Sequence, residues 1–302
     1  MPFRIRPDRG FTAEFRRSVN GQLRHAIHSL EEKPDGLHEA IHAFRKNLKR
    51  LRSLYRLVAD EIPQFREQEN QRLRDIGKSL SAIRDATALI ETARHLHDRA
   101  RDKDEAKAVG RVIAALTARR DKMAKAESDM APRLTGALEQ LRQATQAVED
   151  VHFNGGPRRH GRLLAKGWRK TAAKAREAMA HCQTDHSAEA FHDLRKRAQD
   201  YRAYHMLLKP LWPAAMKAKY ELTSSLIDLL GEIHDLDVLC ELVEAEPKHF
   251  PNADDLAHLL DAIIFRQQEA RTAALERAED VFADNPDDEA NRIELLWQAQ
   301  SR

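Results

Sequence analysis

Apolar residues recur along this chain with a helical period of three to four positions, and the clearest case is Glu39 to Ala59, EAIHAFRKNLKRLRSLYRLVA. At 100° per residue, Ile41, Phe44, Leu48, Leu51, Tyr55 and Val58 fall on one arc, the buried face of an amphipathic helix. The same period predicts helices over Thr12 to Glu32, Asp104 to Ser128 and Pro132 to Val151. Pro63 opens a long one that reaches Arg101, with Gly77 and Ile83-Arg84-Asp85 as candidate bends. Residues 1 to 10, which hold two prolines, read as an extended lead-in, and Lys33-Pro34-Asp35-Gly36 as a turn with Asp35 the N-cap of the next helix. Asn154-Gly155-Gly156-Pro157 is the strongest breaker and divides the chain into halves, 1–153 and 158–302. In the second half helices are expected over Gly161 to Cys182, Ser187 to Leu208, and onward from Trp212-Pro213. Asn252 and Asn285-Pro286 would cap the last two.

The two halves repeat each other. A shift of 150 residues sets Glu39, Ala40, His42, Arg45, Lys46 and Arg52 on Glu189, Ala190, His192, Arg195, Lys196 and Arg202 without a gap. It also carries Pro63 onto Pro213, and Ile83, Asp85, Leu89 and Glu91 onto Ile233, Asp235, Leu239 and Glu241. Most of the shared positions on the first helix are polar, which core packing does not require. A tandem duplication of a unit of about 150 residues would set the two basic helices face to face across a pseudo-twofold axis.

Those helices carry chemistry on a second arc. His42, Arg45, Lys46, Lys49, Arg52 and Arg56 share one strip, with no acid on it. Like charges one turn apart repel by a few tenths of a kcal/mol per pair, so a strip of one sign is a cost unless an anion relieves it. Arg17, Arg24 and His28 form a further stripe on the first helix, and Arg162, Lys166, Arg169 and Lys170 the matching one in the second half. Arg74 and Lys78 make another pair at i, i+4. This sorting puts the positive charge in the first two helices of each half, and all these groups could line one groove. Arg offers a planar fork to phosphate and Lys a mobile point charge, and each half supplies both in its Arg-Lys pair. The second copy has Gln199, Asp200 and Met206 where the first has Lys49, Arg50 and Arg56, which weakens its contribution.

HxxRKxxxxxR in two copies, each followed by an Ile-x-Asp segment (Ile83-Arg84-Asp85 and Ile233-His234-Asp235), resembles the histidine-containing α-helical domain known as CHAD. The opening PFRIRPDRGFTAEFRR is similar to that family as well, and the resemblance covers nearly the whole chain. It implies an all-α protein of two helical bundles related by pseudo-symmetry, with a basic groove or cavity that binds inorganic polyphosphate. It further implies a targeting role at polyphosphate granules. On this reading the polyphosphate-binding residues are Arg17, Arg24, His28, His42, Arg45, Lys46, Lys49, Arg52, Arg56, Lys78, Lys166, Arg169, Lys170, His192, Arg195, Lys196 and Arg202. Relatives often carry a fused triphosphatase with an ExExK signature, which this sequence lacks.

Composition narrows the alternatives. A third of the 302 residues are charged and 6% aromatic, and β-branched runs are nearly absent, so the class is all-α. Net charge is only +3, so a polyanion site requires the charge to be gathered on one surface. Cys182 and Cys240 have no CxxC spacing, and no apolar leader or run of eighteen apolar residues occurs, so a soluble cytoplasmic protein without membrane contact is expected. Glu39-x-x-His42 and Glu189-x-x-His192 have the spacing of di-iron bundles, but Arg45 and Lys46 beside each His site would repel a divalent cation. His42 would instead contact phosphate or make a structural hydrogen bond. In the first case binding should tighten below about pH 6.5. Asp85 and Asp235 would orient an arginine of the strip. A metal-dependent phosphohydrolase using His42, His192, Asp85 and Asp235, and a nucleic-acid binder, remain as alternatives. The scarcity of aromatics offers the second little base stacking. No nucleotide loop, nucleophile elbow or HExxH occurs, so a binding protein without metal, cofactor or catalysis is expected.

Overall fold

A computed structural model describes residues 3–126, 130–250 and 252–301, with the side chains of residues 82–84 and 124–126 outside the description. The described residues form eleven α-helices and no strand. They are α1 (Phe11–Glu32), α2 (Gly36–Leu57), α3 (Pro63–Ser79), α4 (Ala82–Asp98), α5 (Lys103–Ala126), α6 (Met130–Ala147), α7 (Pro157–Thr184), α8 (Ala188–Leu207), α9 (Pro213–Ala245), α10 (Ala253–Val281) and α11 (Pro286–Gln300). No helix among them is long and apolar enough to cross a membrane.

Prolines start helices here instead of breaking them. Pro63, Pro157, Pro213 and Pro286 each occupy the first residue of their helix, where the missing N–H has no intrahelical partner to lose. Pro157 therefore belongs to α7, and the turn ahead of it is made by Gly155, whose φ of 95° suits a residue without Cβ. Ser187, Asn252 and Asn285 cap α8, α10 and α11 through side-chain oxygens that accept backbone N–H bonds. Asp35 precedes α2 but makes no such bond. The long helix expected from Pro63 to Arg101 is two, and the break falls at Leu80–Ser81, with Gly77 inside α3. α9 runs on without a break. The side chains of Ile83 and Arg84, and the expected helix end at Ser128, lie outside the described residues.

The lead-in is tied down. Phe3 and Ile5 are buried, and the Ile5 N–H donates to the Leu207 carbonyl at 2.9 Å.

Packing ignores the boundary at 154–157. One apolar cluster joins α1, α2, α3, α6, α7, α8 and α11 with the start of α9 and the end of α10. A smaller one joins α4 and α5 to the end of α9 and the start of α10, through Ile90, Val109, Leu239 and Ile263 among others. Each half of the chain thus contributes to both clusters, because an amphipathic stripe is buried against whichever apolar face meets it. Within the large cluster α7 crosses the end of α2 at close range. A Cβ on Gly167 would stand 1.9 Å from the Leu57 carbonyl oxygen, so only glycine permits that approach.

Candidate functional site: a cation-lined cavity

α2 and α8 bury their apolar faces in the large cluster, through Phe44, Leu48 and Leu51 on one and Phe191, Leu194 and Ala198 on the other. Their basic arcs then turn toward α4, α9 and α10 and enclose a cavity of about 1220 Å³. Its wall carries His42, Lys46, Lys49, Arg50 and Ser53 from α2, and Arg195, Gln199 and Arg202 from α8. Glu91 and His95 come from α4 and Arg99 from its C-cap, Tyr220, Asp228, Glu232 and Asp235 from α9, and Arg266 and Arg277 from α10, so that four acids face the cations.

Charge within it is unevenly balanced. Arg99 and Arg266 share Glu232, at 2.9 and 2.6 Å. Asp235 is the acid that faces both Lys49 and Arg195. Lys49 is accessible through the cavity but has protein on most other sides. Burial, then the charges of Arg195, Arg45 and Arg202, push its pKa down to about 8, with only Asp235 opposing. Burial also presses on the charged forms of Arg195 and Arg50. The Arg195 guanidinium lies against α9 at Gly231, where a Cβ would stand 3.5 Å from Nη2, and its buried Nε has no hydrogen-bond partner. Arg202 stacks 5.8 Å above the Tyr220 ring.

Beside the cavity the His192 ring stacks on His234 with centroids 4.9 Å apart. Burial, Arg195, His192, Lys49 and Lys196 push His234 down to about 4, and burial with Lys196 and Arg195 also lowers His192. Both rings are neutral near pH 7. Arg45 sits next to Asp85 at 3.7 Å, within electrostatic range of Lys49.

Of the residues expected in one groove, the structure brings His42, Lys46, Lys49, Arg195 and Arg202 into the cavity wall, with Arg45, His192 and Lys196 at its shoulder. The others are elsewhere. Arg17 is clamped to Glu14 at 2.7 Å on α1. There burial opposes the carboxylate charge, but hydrogen bonds from Arg17 and Arg6 prevail and hold it at about 2. Arg24 and His28 share α1 and do not line the cavity, and neither does Lys78 in the last turn of α3. The Arg52 Nε donates to Asn70 Oδ1 at 2.8 Å. Arg56 turns the other way, to the buried carboxylate of Asp200. Lys166 pairs with Asp60 at 2.7 Å and Arg169 with Asp287 at 2.6 Å. Lys170 lines a separate, smaller pocket. The basic faces of α1 and α7 therefore do not extend the cavity, because those helices flank α2 and α8 from the core side.

Sequence reasoning missed Arg50, His95, Arg99, Arg266 and Arg277. Arg50 lies off the α2 strip, roughly 105° from its mean direction at 100° per residue. The other four sit on helices with no one-signed strip, and the cavity collects them singly. The acids of α9 were visible as a shift in composition, but not that Glu232 and Asp235 face the cavity.

The fold and site define an all-helical protein with a large cationic cavity where its two apolar clusters meet. The family model of the CHAD domain matches residues 18–244, and the chain belongs to the CHAD family. The crystal structure of the CHAD domain from the plant Ricinus communis superposes with a TM-score of 0.68, covering 94% of this chain and 96% of that one at 19% identity. No curated protein matches the sequence.

Proposed function

We propose that the cavity binds inorganic polyphosphate and that the protein acts as a binding module without chemistry of its own. The observation that carries this is the surplus of cations facing one volume from both halves of the chain, where burial first, and then the charges of Arg195, Arg45 and Arg202, lower the pKa of Lys49 to about 8. Such a surplus is an electrostatic cost that a multiply charged, flexible anion removes. A linear polyphosphate, with a charge on every repeat unit, can meet Lys46, Lys49, Arg50, Arg195 and Arg202 at once. Membership of the CHAD family supports the same ligand. Each contact adds modest energy, so affinity falls steeply with salt. A cytoplasmic protein recruited to polyphosphate granules fits this role. Among the described residues no group of three or more His, Cys, Asp or Glu is placed to hold a metal.

The test is a calorimetric titration with medium-length polyphosphate at two salt concentrations, on the wild type and on Lys49→Ala/Arg195→Ala. Tight, salt-sensitive binding lost in a folded variant supports the reading. Wild-type protein that ignores polyphosphate overturns it.

A further inference from the structure

A second pocket, of about 350 Å³, lies where the end of α2, the start of α3, α7 and α8 meet. Arg56, Arg66, Lys170, Lys174 and Arg197 line it, against Asp60 and Glu67. Its charges can be paired off one by one. Arg56 is bound to the buried Asp200. Arg197 reaches Asp193 at 3.2 Å through its guanidinium, while its buried Nε has no hydrogen-bond partner. Asp60 is taken by Lys166 at 2.7 Å. Arg66, Lys170 and Lys174 are left with no carboxylate within ion-pair distance among the described residues, and Glu67 is the remaining acid on the wall. Lys170 and Lys174 stand one turn apart on α7 and repel each other, and the one carboxylate whose field reaches Lys170, Asp60, already holds Lys166, so an anion between the two lysines would relieve them.

The pocket is walled off from the large cavity. Ser53 lines the cavity and Arg56 lines the pocket, and Asp200 binds both, accepting from the Ser53 hydroxyl at 2.7 Å. Asp200 stands where the repeat has Arg50, so one acidic substitution supplies the partition. The volume is at the low end for small-molecule sites, roughly 300–1,000 Å³. It suits a compact anion and not a long polymer.

We infer that this pocket is a second anion site that takes a diphosphate group, with Lys170, Lys174 and Arg66 as its ligands. It is independent of the polyphosphate reading of the large cavity. Free pyrophosphate and a nucleoside diphosphate share this chemistry, and both serve as probes.

Inorganic pyrophosphate and ADP are titrated calorimetrically into the wild type, into Lys170→Ala/Lys174→Ala, and into Lys49→Ala/Arg195→Ala. Circular dichroism melts confirm folding. At least one probe should bind the Lys49→Ala/Arg195→Ala protein as it binds the wild type, and lose at least tenfold in affinity with Lys170→Ala/Lys174→Ala. Equal binding of the two probes assigns the site to the diphosphate alone, and tighter ADP to a nucleoside diphosphate. The proposal is overturned if neither probe binds the Lys49→Ala/Arg195→Ala protein, or if removing Lys170 and Lys174 leaves affinity unchanged. Long-chain polyphosphate run on the same proteins reports on the large cavity separately.

Discussion

α2 and α8 carry basic strips, and so do α1 and α7, yet the two pairs use them differently. On α7, Lys166 and Arg169 each meet a carboxylate of another element within 2.7 Å, and on α1 Arg17 meets Glu14. On α2 and α8, Lys46, Lys49, Arg50, Arg195 and Arg202 face a cavity whose acids are fewer and partly engaged by Arg99 and Arg266. Cation density along the sequence is similar, and what differs is the opposite wall. On the proposed reading, a strip becomes an anion site only where the fold leaves its cations in excess of the acids that face them.

The strongest way to break this comparison is to disturb the crossing that lets α7 support α2. Alanine is a better helix former than glycine by about 1 kcal/mol, so propensity alone would make Gly167→Ala stabilising. The added Cβ, 1.9 Å from the Leu57 carbonyl oxygen, forces backbone apart from backbone and reverses that sign. A loss of at least about 4 kcal/mol in urea unfolding is expected. A neutral or stabilised variant would mean the crossing is not as close as described. Asp200→Ala comes next. It leaves the half-buried Arg56 without its counter-charge and the Ser53 hydroxyl with only the Lys49 carbonyl to bond, a loss of about 1–3 kcal/mol by the same assay.

Function separates the pairs next. Lys49→Ala/Arg195→Ala should weaken polyphosphate binding at least ~100-fold, since hydrogen bonds to charged groups contribute about 1.5–3 kcal/mol each. Both residues are electrostatically strained, so melting temperature should hold or rise while affinity falls. A drop in both together would assign these cations to the scaffold.

The helical class, the start of nearly every helix, and the pairing of α2 with α8 were legible, because apolar period, Pro63, Pro213 and the His42/His192 repeat are local signals. Part of the cavity wall was legible for the same reason, since one strip and its copy supply Lys46, Lys49, Arg195 and Arg202. What was hidden depends on burial and on which partners the fold sets against each side chain. Arg17 reads as a site residue until Glu14, three residues before it, is seen to be buried against it. Arg266 and Arg277 stand singly on α10 with no strip to mark them, and only the fold brings that helix against the cavity. Pro157 read as a breaker, when its role at the start of α7 needed only the turn at Gly155.

pH sharpens the comparison by a smaller amount. With a free-state pKa of about 8, Lys49 loses its proton as pH rises from 7 to 9, whereas a bound polyanion would hold it charged. Affinity should fall roughly tenfold over that window, and Lys49→Arg should flatten the profile. The stability change has the opposite sign. The unfolded chain holds this proton up to 10.5 and the folded chain only to about 8, so Lys49 costs stability below pH 8 and the cost is relieved between 8 and 10.5. At the acid end, His234 at about 4 and the lowered His192 place any tightening driven by those two rings below the window near 6.5 expected for an ordinary imidazole.

The smallest effect is the control for the whole contrast. Lys166→Ala/Arg169→Ala removes as many positive charges as Lys49→Ala/Arg195→Ala and carries the same change in net charge. If polyphosphate responded only to overall charge, the two variants would bind alike. Lys166 and Arg169 are exposed and already paired with Asp60 and Asp287, and surface pairs of this kind contribute about 0–1 kcal/mol. Their loss should change affinity less than about threefold at physiological salt, where charges more than about 8 Å from the ligand are largely screened. Equal losses in the two variants, measured by titration in the same buffer, would show that the polymer wraps the outside of the protein and that the cavity has no special claim on it.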